Sequence, residues 1–233
     1  MKQRIIIIGG MGPQASLELH RRIITRAADA GARENEDYPE IVHVSIPVPD
    51  FISSGNSKKG LLRLKQSLRT IGFHDTDKVI LACNTAHLLL PEIEAQFGVR
   101  FISLIDAVSD VIKHNNFKTI GLLASPTTIK KQLYSKPIQV NGGVVILPTS
   151  REIGTLENAI RHIIANGSVD DVRGLIEPFV QRMVQDGAEQ VILGCTELSV
   201  IFKDSKKGYL LDPLNAVCLK LNNISTDSIK NQK

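Results

Sequence analysis

Two cysteines stand at matched places in the chain, each set as a nucleophile or base would be. Val79-Ile80-Leu81-Ala82 leads into Cys83-Asn84-Thr85-Ala86-His87, and Val191-Ile192-Leu193-Gly194 leads into Cys195-Thr196-Glu197-Leu198. Each stretch reads as a short buried strand that hands a cysteine to a helix start. An apolar β-branched run followed at once by capping residues marks that junction. Backbone N–H groups at a helix start favour an anion, and there a thiol pKa can fall from roughly 8.5 to between about 3.5 and 7.5. Two such thiols could face one small anionic substrate from opposite sides. A free cysteine without that context is usually a small core hydrophobe. Cys218, between Val217 and Leu219 on an apolar helix, is read that way.

The elements that must position the cysteines follow from the hydrophobic pattern. Arg4–Ile8 is a strand without alternation, as in a parallel sheet covered on both faces. The glycine turn Gly9–Pro13 leads to a helix from about Gln14 to Ala30, and Pro13 suits its first turn. Ile41–Ile46 is a second strand, closed by Pro47–Asp50, and Ser53–Lys59 reads as an exposed loop. A helix over Gly60–Gly72 precedes the Cys83 strand, and Phe101–Leu104 and Ser103–Val111 supply a further strand and helix. The order then repeats. Lys118–Ala124 is a strand, Ile129–Tyr134 a helix, Gly143–Leu147 a strand and Thr155–Asn166 a helix. Ser168–Asp186 is a long helix in which Pro178 predicts a kink or break. Glu189–Gly194 then delivers Cys195, followed by a strand at Gly208–Asp212 and a last helix at Pro213–Asn222.

Laid side by side, Ile8 falls opposite Leu123 and Cys83 opposite Cys195. Alternating strands and helices predict an α/β fold with parallel sheets, and the duplication predicts two similar units related by a pseudo-twofold. The expected division is 1–104 plus about 213–233 for the Cys83 side, and 105–212 for the Cys195 side. Ligands in open α/β sheets sit beyond the carboxyl ends of the strands, so both cysteines should line one cleft between the units.

Composition narrows the function. The 233 residues are 42% hydrophobic and 22% charged, which is ordinary for a soluble globular protein. The net charge is +4, but Lys and Arg are spread out and not interleaved with aromatics that would stack bases. Nucleic acid is therefore not an expected partner. No run reaches the roughly 18 apolar residues of a membrane span, and Ile5–Ile8 is too short for a secretory signal. Three cysteines make no disulfide framework, so the expected compartment is the reducing cytoplasm. Gly10–Ala15 satisfies the dinucleotide pattern G-x-G-x-x-A, but the acid expected about 20 residues on would be Asp29, inside a helix.

Gly9–Ser16 (GGMGPQAS), Ala82–His87 (ACNTAH) and Gly194–Leu198 (GCTEL) together resemble the signature motifs of the aspartate/glutamate racemase family, the amino-acid racemases that work without pyridoxal phosphate. The resemblance runs from about Ile5 to Leu221. It implies two flavodoxin-like domains with the site between them, a homodimer, no cofactor and a small amino-acid substrate. It also implies that one cysteine removes the α-proton while the other protonates the opposite face, with Cys83 and Cys195 in those roles. By the same resemblance Asn84, Thr85 and Thr196 hold the α-carboxylate, Thr128 contacts the ligand, and Met11 and Gly12 form the floor.

Two further residues carry alternatives. Glu197 is either a partner that tunes Cys195 or a helix-start carboxylate held by the dipole. His87 is a packed or capping histidine near the site, since a metal would need at least two more ligands and no spacing offers them. The sequence departs from the family pattern at two cationic anchors for an acidic side chain. Phe51 and Ile164 stand in their places, with Arg63 and Arg161 nearby. Other fates of the same thiols are a maleate isomerase or arylmalonate decarboxylase chemistry, and an amino-acid-binding relative without turnover.

Overall fold

The computed structural model describes residues 4–49 and 57–230. Strands β1 (Arg4–Gly9), β2 (Glu40–Ser45), β3 (Lys78–Leu81) and β4 (Phe101–Ile102) form one parallel sheet in the order β2-β1-β3-β4. Strands β5 (Thr119–Ala124), β6 (Val144–Ile146), β7 (Gln190–Gly194) and β8 (Leu210–Leu211) form a second in the order β6-β5-β7-β8. The two orders are the same, and both are those of a flavodoxin-like sheet without its fifth strand. The predicted α/β architecture with two parallel sheets is what the chain adopts.

Ten helices among the described residues cover the sheets. They are α1 (Pro13–Asp29), α2 (Ser57–Leu68), α3 (Leu90–Phe97), α4 (Leu104–Asn115) and α5 (Pro126–Lys130), then α6 (Ser135–Val140), α7 (Ser150–Ile164), α8 (Val169–Gln185), α9 (Thr196–Ile201) and α10 (Pro213–Lys230). Because side chains alternate across a strand, each strand feeds two cores. Ile5, Ile7 and Ile80 of the first sheet share one cluster with Ile120, Leu122 and Ile192 of the second, filled in by α1, α4 and α10. Ile6, Ile8, Val79 and Leu81 pack on the other face beneath α2 and α3, and Cys83 belongs to that face. Leu123, Val191 and Leu193 do the same beneath α7, α8 and α9, and Cys195 belongs there. The two cysteines thus continue equivalent faces of equivalent strands.

Several boundaries differ from the sequence expectation. After Cys83 the chain makes a 3-10 turn over Thr85–Leu89 before α3 begins, instead of one helix from Asn84. Pro91 has no N–H for the carbonyl of His87, which is taken by the N–H of Leu90 in the tighter spacing. The single helix expected over Ile129–Tyr134 is two short ones, α5 and α6, parted at Gln132 with φ of 55°. Helix α7 starts earlier than expected, because Thr149 and Glu152 form a reciprocal capping box. Helix α8 runs through Pro178 unbroken, and α10 extends beyond Asn222 to Lys230. Asp50, Phe51 and most of the expected loop Ser53–Lys59 lie outside the described residues.

A buried ion cluster ties α1 to α9 and the start of α10. Arg22 donates to Glu18 Oε1 (2.7 Å), Asp212 Oδ2 (2.5 Å) and the carbonyl of Ser199 (3.1 Å). Asp212 Oδ1 in turn accepts from Ser199 Oγ and the N–H of Leu214. Removing one partner of such a buried pair typically costs about 3–5 kcal/mol. The cluster therefore holds the helix that follows the glycine turn against the helix that follows Cys195.

Candidate active site

A cavity of about 310 Å³ opens beyond the carboxyl ends of β1, β3 and β7, near the lower limit for small-ligand pockets. From the first half it is lined by Gly10–Gly12, Val48, Pro49, Cys83 and Thr85. From the second it is lined by Arg161, Ile164, Ala165, Cys195 and Glu197. The pair of cysteines singled out in the sequence therefore shares one cavity. A smaller hollow of about 160 Å³ beside Lys113 and Asn141 holds neither. Cys218 is buried at 1% exposure on α10 and belongs to the central core, as expected.

The glycine turn lets the chain approach this cavity closely. Gly10 has φ of 92°, a region that favours glycine, and a Cβ there would meet the backbone of Ile46. At Gly12 the backbone is extended and the requirement is space, since a Cβ would collide with Glu197 Oε1. Pro13 then opens α1, where its missing N–H has no partner to lose.

The sequence expectation for the thiols meets an opposing effect. The N–H groups of Thr85 and Ala86 do face Cys83 and favour its thiolate. Burial, followed by the charge of Glu197, outweighs them and pushes the Cys83 thiol up to about 12. Burial likewise raises Cys195 well above the usual thiol range, helped by the charge and hydrogen bond of Glu197 and then by Cys83. Cys195 thus senses the charge of Cys83, and burial favours the neutral thiol at both positions. A helix start alone does not lower a thiol pKa when desolvation is complete.

Glu197 is 2% exposed, and its Oε2 accepts from Cys195 Sγ at 2.8 Å and more weakly from Thr196 Oγ1 at 3.5 Å. Its Oε1 is buried without a hydrogen-bond partner. Burial raises this carboxyl too, which makes it a stronger proton acceptor for the thiol beside it.

On the Cys83 side, Thr85 Oγ1 lies 3.0 Å from Ser125 Oγ and 2.9 Å from Thr128 Oγ1, and Ser125 donates to Thr128 at 3.0 Å. This ring of buried hydroxyls joins the turn after Cys83 to the matching turn after β5. Thr128 is fully buried and touches Thr85 without lining the cavity. Asn84 and Thr196 are each 1% exposed and also stand behind the lining. Asn84 Oδ1 accepts from Tyr134 OH at 2.5 Å, while its Nδ2 is buried and unpartnered. Tyr134 and Ser125 escaped the sequence reading. The offset that sets Leu123 opposite Ile8 also sets Ser125 opposite the glycine turn, a signal that points to Ser125. Nothing local marks Tyr134.

His87 is a structural brace. Burial pushes its pKa down to about 4, so the ring is neutral. Its Nε2 accepts from the N–H of Leu104 at 3.0 Å, which leaves Nδ1–H to donate to the carbonyl of Cys83 at 2.8 Å. Among the described residues no cluster of three or more His, Cys, Asp or Glu could hold a metal ion. Nor is any helix there long and apolar enough to cross a membrane.

The profile of the Asp/Glu/hydantoin racemase family matches residues 8–220. The chain belongs to that family. Over 230 residues it is 25% identical to the broad-specificity amino-acid racemase RacX of Bacillus subtilis, spanning 94% of this chain and 96% of that one. A glutamate racemase of Actinobacillus pleuropneumoniae is 27% identical over 161 residues, 66% of this chain and 59% of that protein. Among solved structures, the aspartate racemase of Picrophilus torridus superposes with a TM-score of 0.79 at 22% identity, covering 96% of this chain and 94% of that one. An aspartate racemase homologue from Pyrococcus horikoshii gives 0.71 at 26% identity, covering 97% and 100%. Racemases are isomerases, and the chain is an enzyme of that class by family.

Proposed function

We propose that the protein is a cofactor-independent amino-acid racemase in which Cys83 and Cys195 work as a two-base pair. The observation that carries this is that both sulfurs, from equivalent strand ends, line one small cavity. The α-carboxylate would be held by Thr85 and by the N–H groups that follow each cysteine, with the Asn84 and Thr196 side chains behind the lining fixing those turns in place. The substrate's α-ammonium brings a positive charge beside thiols that burial keeps neutral, and an opposite charge at close range favours thiolate. On one side Glu197 accepts the proton of Cys195, and the thiolate so formed takes the α-hydrogen. The resulting carbanion accepts a proton on its other face from the Cys83 thiol, which is left as thiolate. The reverse reaction exchanges the two roles. Fixing two weak bases about one carbon lets positioning supply much of the rate.

The same reading puts residues 1–104 and about 213–233 on one side of the substrate and 105–212 on the other, in a cytoplasmic homodimer. It is tested by incubating one enantiomer in deuterated water. The inverted product is expected to carry α-deuterium while unreacted substrate at early times carries little. Inversion without label in the product would contradict it.

A further inference from the structure

We infer that the substrate side chain is uncharged and mainly apolar, an inference that rests on the amino-acid racemase reading above. Five of the residues lining the cavity, Met11, Val48, Pro49, Ile164 and Ala165, offer only apolar side chains. Two charged side chains reach it, Arg161 and Glu197. Glu197 is buried and bound to Cys195 through Oε2, so it repels a substrate carboxylate, and its unpartnered Oε1 is buried toward Gly12, where a side-chain ammonium would have to give up its water to reach it. Arg161 donates through Nε (3.0 Å) and Nη2 (2.9 Å) to Glu157 Oε1, one turn away on α7, with 43% of its side chain exposed. Its charge is therefore compensated and hydrated, and an acidic side chain would compete with Glu157 for it. A carboxylate drawn into this apolar wall would lose water while the cation at its edge, Arg161, stays engaged with Glu157, an unfavourable exchange.

Ile164 is the residue at which the specificity can be reversed. It ends α7, where a lysine suits the helix dipole, and its backbone carbonyl already accepts from Gln14 Nε2 at 3.1 Å irrespective of side chain. The test measures α-proton exchange by NMR and binding by calorimetry for leucine, methionine and norvaline against aspartate, glutamate, lysine and arginine, with both enantiomers. The neutral set is expected to exceed the charged set at least tenfold in kcat/KM and in affinity. Ile164→Lys should lower kcat/KM for the neutral set and raise it at least tenfold for aspartate or glutamate. Aspartate or glutamate turned over within tenfold of the neutral set, or better, would overturn the specificity and leave the racemase reading standing. The same ratio for lysine or arginine would overturn it equally. Selective binding of the neutral set without any exchange would support the specificity and overturn the racemase reading. Absence of both binding and exchange for all seven would overturn both.

Discussion

Cys195 Sγ donates to Glu197 Oε2 across 2.8 Å, two residues along the chain, and both groups are buried in the wall of the cavity. The carboxylate holds the thiol in its protonated form in the resting protein, yet it is also the base nearest to hand when a positive charge arrives. Its second oxygen rests against Gly12, where any side chain would displace it. This contact connects the glycine turn at the start of the chain to the second cysteine motif near its end.

Glu197→Gln separates those two effects because they have opposite signs. Loss of the negative charge and of the accepting carboxylate removes causes that raise the Cys195 pKa. Alkylation of Cys195 at pH 8, followed by peptide mass spectrometry, is expected to become faster than in the wild type. Racemisation should fall about 100-fold, at the lower end of what a general base contributes. A variant with unchanged turnover would show that Glu197 is only a helix-start carboxylate held by the α9 dipole.

The resting thiol of Cys83, raised to about 12 by burial and by Glu197, sets a pH dependence. In a Cys195→Ser background, alkylation of Cys83 by iodoacetamide should rise about tenfold per pH unit from 7 to 10 with no plateau, because the thiolate fraction is still growing. A plateau near pH 8 would mean that the helix-start N–H groups outweigh burial.

Tyr134 reaches Asn84 from the second half of the chain and leaves the amide Nδ2 as a donor with no protein partner. Tyr134→Phe keeps the buried ring and removes the hydroxyl. The expected result is a KM about tenfold higher, near 1.4 kcal/mol, with a smaller change in kcat. Equal losses in both parameters, or none, would contradict a role in holding the turn after Cys83 in its substrate-binding position.

His87 predicts a stability profile. Its pKa is about 4 in the fold against 6.5 for an exposed imidazole, so the unfolded chain binds the extra proton between those values. The stability held above pH 6.5 is therefore lost as pH falls toward 4. Between pH 7 and 5 the loss attributable to this residue is about 2 kcal/mol. Urea denaturation of wild type and His87→Gln at both pH values should show a smaller drop in the variant.

What was legible in the sequence is what local chemistry writes there. Ile5–Ile8, Val79–Leu81 and Val191–Leu193 are unbroken buried runs, and the cysteines at their ends repeat at matched positions, so the doubled α/β fold and the pair of thiols could be read directly. The capping box of Thr149 and Glu152 was equally written but lay before the apolar stretch used to place α7. The turn at Thr85–Leu89 depends on Pro91, and the break at Gln132 on a positive φ in a residue that seldom takes one. Burial was the least legible quantity. A helix start after Cys83 suggested an acidic thiol, whereas the walls closing around it, contributed by residues far along the chain, reverse the sign. Tyr134 meets Asn84 only because two halves fold together, and no spacing announces that.

The two-thiol claim is tested most directly by replacing the sulfurs one at a time and following inversion of a substrate enantiomer by circular dichroism. Cys83→Ser and Cys195→Ser are each expected to lower kcat at least 1000-fold with the fold intact, because each face of the α-carbon has only one base. Either variant retaining activity within tenfold of the wild type would contradict the two-base account.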